Sequence, residues 1–256
     1  MGFAKRHSFD LVWVLAITDF KLRYHGSVLG YVWALLKPLF IFLILNFVFT
    51  HVFASTVEHY SLRLLTGIIM WSFFAEGTMT GLMSLMSKAH MLTKIPVSKM
   101  VLVVASTLNV VLTYVINLFV LALFYFFSGL HPSFTALLFF LGYSAVVYLL
   151  ILAFSLLFAP LFIRFRDLNQ IWEVVLTGGF YCAPIIYPLS IFSERVQSLL
   201  YLNPMTFLLQ HANHALLGGS FSRLDHHVIY AVCLALFLMV SFLVFRRLSR
   251  KVVDFL

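Results

Sequence analysis

Long apolar runs separated by short polar breaks dominate the chain. Runs near 30–53, 64–86, 101–127, 135–163, 171–188 and 228–245 each reach or approach the ~20 apolar residues a helix needs to cross a bilayer. They predict six transmembrane helices in an all-α membrane protein. The fifth is interrupted by Gly178-Gly179 and Pro184, then by Pro188. After it, 189–220 is polar and turn-rich and never becomes a full span. Broken helices at membrane depth are tolerated only where they pack in protein or line a water-filled path. Ahead of the first span, Phe9, Trp13, Ala16, Ile17, Phe20 and Tyr24 recur at helical spacing among Asp10, Thr18, Asp19, Lys21 and Arg23. The apolar run Leu11–Ile17 is too short to cross, so residues 8–25 predict an amphipathic helix in the membrane interface. The chain divides into this N-terminal element, 1–27, and one membrane domain, 28–256.

Composition agrees. The 256 residues are 62% hydrophobic and 10% charged, against about 25% charged in soluble domains. The start is polar and lacks a small-residue cleavage site, so no removed signal peptide is expected, and Arg6 replaces the Ser or Thr of a lipidation motif.

Charge then orients the spans. Lys5, Arg6, Lys21, Arg23, Lys37, Lys88, Lys94, Lys99, Arg164, Arg166, Arg246, Arg247, Arg250 and Lys251 fall on one side of the predicted spans. Only Arg63, Arg195 and Arg223 fall on the other. The positive-inside rule places the larger group, and with it both termini, in the cytoplasm. The net charge of +8 is thus a topology signal rather than a nucleic-acid footprint.

Chemistry is sparse. There is no Gly-x-x-x-x-Gly-Lys-Ser/Thr loop, His-Glu-x-x-His, Gly-x-Ser-x-Gly or Cys-x-x-Cys, so no catalytic residue and no metal site is predicted. Lys37, Glu76 and Glu173 are the ionisable groups within the spans, too scattered for a proton relay. Glu76 adjoins Gly77-x-x-x-Gly81, a close-packing motif, and reads either as a polar helix contact or as part of a translocation path. Cys182 and Cys233 read as small buried hydrophobes. His211-x-x-His214 and His226-His227 read as polar surface or re-entrant residues rather than metal ligands. Tyr31, Trp33, Trp172 and Tyr187 fit an interfacial aromatic belt. A sharper reading has Trp33, Phe180, Tyr181 and Tyr187 lining a pore and stacking on sugar rings.

Five motifs in order carry a family resemblance. They are Asp19-Phe-Lys-Leu-Arg-Tyr24-His-Gly26-Ser-Val-Leu29-Gly30-Tyr-Val-Trp33-Ala-Leu-Leu-Lys-Pro38, Leu92-Thr-Lys94-Ile-Pro96, Phe165-Arg166-Asp167-Leu168, Pro184-Ile-Ile-Tyr187-Pro188 and Leu202-Asn203-Pro204. Together they resemble ABC-2 type permeases that export bacterial surface polysaccharides, most of all O-antigen permeases of the Wzm type, with teichoic acid and capsule permeases as cousins. The resemblance implies a multi-pass protein of the bacterial inner membrane and a homodimer with a pathway at its interface. It also implies two copies of a separate ATPase subunit that carries the ATP and magnesium, so this chain itself needs no cofactor and is not an enzyme. By the same resemblance the interfacial helix and the 87–99 segment contact the ATPase, and 189–220 forms re-entrant helices between spans five and six, near the outer mouth. Lys88, His90, Leu92, Lys94 and Pro96 are the coupling candidates. The cargo implied is a polysaccharide on undecaprenyl diphosphate. Arg23, Lys37, Arg164 and Arg166 lie at the depth of its head group, and read equally as topology determinants and interface anchors. An exporter of small drugs or lipids is a competing expectation, and a membrane-embedded glycan-modifying enzyme is another from a different class. The latter lacks the clustered acid, base or metal it would need.

Overall fold

The computed structural model describes residues 2–26, 29–53, 57–94, 97–219 and 223–250. Within them the chain is helical: α1 (Gly2–Tyr24), α2 (Trp33–Phe53), α3 (Tyr60–Ser87), α4 (Ala89–Lys94), α5 (Lys99–Phe127), α6 (Phe134–Arg164), α7 (Leu168–Cys182), α8 (Glu194–Leu200), α9 (Pro204–Leu217) and α10 (Leu224–Leu248). Gly30–Val32 forms a 3₁₀ turn leading into α2, and Leu189–Ile191 another ahead of α8.

Among the described residues, four segments are long and apolar enough to cross a membrane: Gly30–Phe53, Lys99–Phe127, Phe134–Arg164 and Leu224–Leu248. The other two expected spans differ for separate physical reasons. α3 has 28 residues, about 42 Å of helix, but it mixes in Gly, Thr, Ser and Glu. It can do so because protein surrounds it: Leu64, Leu65, Ile68, Met70, Leu82 and Leu85 are all buried, and α2, α5, α6, α7 and α9 pack around it. Its Thr66 and Thr78 hydroxyls donate to the carbonyls one turn back, Leu62 (2.8 Å) and Phe74 (2.9 Å), so no polar group is stranded. α7 has only 15 residues, about 22 Å of helix against a hydrocarbon core of about 30 Å. The expected span to 188 stops at Cys182. Pro184 disfavours helical geometry in the preceding residue, and Ala183 is accordingly extended (φ −83°, ψ 142°). Ile185 and Ile186 then turn inward and are buried.

The centre is the α3–α6 contact. Gly77 and Gly81 let α6 approach so closely that a Cβ built on Gly81 would lie 1.8 Å from Ser155 Oγ and 2.5 Å from Ser155 Cβ. At one end, Leu85, Leu92, Leu102, Val103, Ala159, Ile163 and Phe245 form a common cluster. That end therefore gathers the close of α3, α4, the start of α5 and the ends of α6 and α10, where the basic residues concentrate. Lys99 Nζ donates to the Ser249 carbonyl there. The opposite end holds the start of α3, the 183–190 turn and α9. Asn203 caps α9 by accepting from Met205 N–H (3.0 Å), with Pro204 in the first turn. α9 is deeply buried, through Met205, Leu208, Leu209 and Ala212.

Two expectations are corrected. Cys182 and Cys233 are free but exposed, because they sit on outward faces of α7 and α10. Trp172 is a core ring rather than a belt residue. It stacks on Phe154 (centroids 4.1 Å apart), and its indole N–H donates to Thr78 Oγ1 (3.0 Å), drawing α7 onto α3 and α6.

Candidate functional site

The basic end is held by two ion pairs on one turn of α1. Asp19 and Arg23 are four residues apart and so share a helix face. Lys88, at the break between α3 and α4, reaches Asp19 Oδ2 at 2.5 Å and Ser106 Oγ of α5 at 2.6 Å. Arg23 pairs with Glu76 of α3, and its guanidinium also donates to Thr80 Oγ1 (3.4 Å). Phe20, between the two, stacks on Tyr31 at 5.3 Å, and Ala16 is fully buried. Thus α1 is docked onto α3 and α5 through the face that carries Ala16, Asp19 and Arg23, while Phe9, Trp13, Val14 and Leu22 are exposed. Partly buried ion pairs hold position through geometry, since removing one partner strands the other charge.

The five coupling candidates separate. Lys88 is 9% exposed and spent on contacts within the chain. Leu92 seats the six-residue α4 in the end cluster. His90 and Lys94 remain exposed beside it, so α4 offers a short polar surface on an apolar root. Pro96 lies outside the described residues.

Among the four head-group candidates, Arg23 is turned to Glu76. Lys37 on α2 and Arg164 and Arg166 at the α6–α7 junction are exposed. Arg164 lies over the Phe165 ring, 5.4 Å from its centroid, an arrangement that keeps the guanidinium at the surface.

Of the aromatic channel candidates, the structure brings three together. Phe180 packs edge-on against Trp71 (6.1 Å) and against Tyr181 (5.5 Å). The Tyr187 hydroxyl donates to the Tyr181 carbonyl at 2.7 Å, closing the broken stretch back onto α7. Tyr181 itself is 62% exposed. Trp33 stands apart from these, at the first turn of α2 near the basic end, and is exposed.

Sequence reasoning named Asp19 and Glu76 but did not pair them with Lys88 and Arg23. The pairs span 69 and 53 positions, and no local period signals either. It also passed over a cavity at the opposite end, between Glu58, Tyr60, Arg63, Pro184, Tyr187, Gln210 and Asn213. The only available hint was the polar character of 210–214 on an otherwise apolar helix.

Several membrane-crossing helices, a docked N-terminal helix, a short polar-faced α4 and a broken helix at the far end define a multi-pass membrane permease. The ABC-2 type transporter family model matches residues 10–217, and the chain belongs to that family. It is therefore a transport subunit of the bacterial inner membrane, not itself an enzyme, and its family implies an ATPase partner. Among its relatives is an O-antigen export system permease protein RfbA of Klebsiella pneumoniae, 26% identical over 250 residues, covering 97% of this chain and 95% of the relative. An RfbA of Myxococcus xanthus is 30% identical over 197 residues, 75% and 74% of the two chains. The polysialic acid transport protein KpsM of Escherichia coli is 22% identical over 211 residues, 82% of each.

Proposed function

We propose that this chain is the membrane half of an ATP-driven exporter that carries a lipid-linked surface polysaccharide of the O-antigen type outward across the inner membrane. The observation that carries the reading is the end-to-end similarity to O-antigen export permeases. The protein works as a homodimer with two copies of a separate ATPase subunit, which binds ATP and magnesium. α3 and α7 complete a set of six spans, with α3 shielded by its neighbours and α7 extended by the 183–188 turn. Both termini lie in the cytoplasm.

In this reading α4 is the contact with the ATPase: His90 and Lys94 meet the partner and Leu92 passes its movement into the helix ends. α1 follows the same movement because Lys88 ties it to the α3–α4 break. Lys37, Arg164 and Arg166 bind the diphosphate of an undecaprenyl carrier, for which guanidinium groups are suited by bidentate donation. Arg23, already paired to Glu76, orients α1 rather than holding the head group alone. Tyr181 and Tyr187, with Phe180 behind them and Trp33 at the entry, line the path of the glycan. A capsule-type cargo is the second reading, favoured by the similarity to the polysialic acid transport protein.

The test is co-expression with an ATPase subunit from the same genome, reconstitution in lipid, and hydrolysis measured with and without undecaprenyl-diphosphate-linked glycan. A stable complex stimulated by the glycan supports the proposal. A permease that retains no ATPase refutes it. Stimulation by a glycan on a different lipid anchor moves the assignment to the capsule-type cargo.

A further inference from the structure

The cavity at the end opposite the basic residues has a volume of about 320 Å³, at the small end of ligand pockets, roughly 300–1,000 Å³. Three segments distant in sequence wall it: 57–63 ahead of and in the first turn of α3, the 184–190 turn, and 210–214 on α9. Hydrogen bonds hold two of these in place. Tyr60 donates to the Ile186 carbonyl at 2.8 Å, and Tyr187 to the Tyr181 carbonyl at 2.7 Å.

The lining has a definite chemistry. Gln210 and Asn213 are three apart on α9 and so share a face. Each amide is both donor and acceptor, the same dual capacity that a sugar hydroxyl has. Asn213 is only 6% exposed, and its Oδ1 makes no hydrogen bond. A buried amide oxygen without a partner is costly, and a hydroxyl that donates to it removes that cost. Pro184, Pro188 and the Tyr187 ring supply apolar surface beside these amides. Of the charged and titratable residues that line it, Arg63 donates from its side chain to the Glu58 carbonyl (3.2 Å), the Glu58 carboxylate sits beside His59 Nε2 (3.4 Å), and His214 completes the set.

We infer that this cavity is a binding site for one neutral sugar residue, with Asn213 and Gln210 bonding its hydroxyls and Tyr187 and Pro188 packing on its ring. The inference rests on the export reading above and deepens it. The site lies at the end where the chain emerges, so it grips a single residue of the glycan as it leaves the path and resists its return.

The experiment uses the permease–ATPase complex in lipid nanodiscs and saturation-transfer NMR with the methyl glycosides of glucose, galactose, mannose and N-acetylglucosamine, each at millimolar concentration. At least one glycoside is expected to give a transfer signal that falls several-fold in Asn213→Leu and also in Gln210→Leu. Gln210 is only half-buried, so its variant remains informative if Asn213→Leu does not fold. Equal signals in wild type and variants, or no signal from any glycoside, overturn the inference. Loss of the signal on adding inorganic phosphate also overturns it, by assigning the cavity to an anion. If the complex forms and its ATPase responds to lipid-linked glycan while no glycoside binds, the site fails and the export reading stands. If no complex forms, it is the export reading that fails.

Discussion

Gly81→Ala tests the α3–α6 contact on which the whole arrangement depends. The added Cβ would lie 1.8 Å from Ser155 Oγ, 2.5 Å from Ser155 Cβ and 3.3 Å from Thr107 Cγ2. The hydroxyl cannot simply swing away without cost, because it donates to the Ile151 carbonyl at 2.7 Å. The Ser155 Cβ is attached to the α6 backbone, so relief to an ordinary contact requires the helices to part by about 1 Å. Overpacking typically costs 1–3 kcal/mol, and a backbone-borne clash belongs at the top of that range. About 3 kcal/mol is roughly a hundredfold in the folded ratio, and in a chain of this size about 6–12 °C in unfolding midpoint. Gly77→Ala meets only the branches of Ile151, at 2.7 and 2.9 Å, which can rotate, so about 1 kcal/mol is expected. Gly178→Ala meets nothing within 4 Å and gains up to ~1 kcal/mol of helix propensity. The assay is thermal unfolding of the detergent-solubilised protein followed by helical circular dichroism. The double variant Gly81→Ala/Ser155→Gly removes the opposing Cβ and should recover most of the loss. A Gly81→Ala midpoint equal to wild type, or a double variant no better than the single, would refute the reasoning.

Two further outcomes follow from the ion pairs. Lys88→Met strands the Asp19 carboxylate and Ser106 hydroxyl at the α1 contact. It should destabilise by a few kcal/mol, up to ~3–5 for a fully buried pair, and lower ATPase stimulation by the cargo. Thermal unfolding and the hydrolysis assay check both, and Lys88→Met/Asp19→Leu should regain part of the stability. Glu76→Gln should loosen α1 by weakening its tie to Arg23, read as faster proteolysis between α1 and α2. The exchange Arg23→Glu/Glu76→Arg should restore protection, and its failure to do so would show that the pair does not hold the helix.

The run lengths were enough to locate the long apolar helices. α5 and α6 begin and end within two residues of the expected spans, because a membrane-crossing helix is specified by local composition over its own length. The helical N-terminal segment was legible for the same local reason; the fifth span was carried to 188, although Pro184 holds the local signal for its stop at Cys182. What was not legible was who faces whom. In α3 the Gly77-x-x-x-Gly81 motif marked one close helix contact, but not that α2, α5, α6, α7 and α9 would all surround the helix. Lys88, read as a group presented to a partner, is instead buried against Asp19 and Ser106. Trp172 went to the core and the two cysteines to the surface, because rotation about a helix axis is set by its neighbours and not by hydropathy. The outer cavity exists only where three segments from 57–63, 184–190 and 210–214 meet. Solvent preference is a property of each residue and can be read along the chain. Pairing across 50 or more residues depends on which apolar faces interlock, and only the tertiary structure decides that.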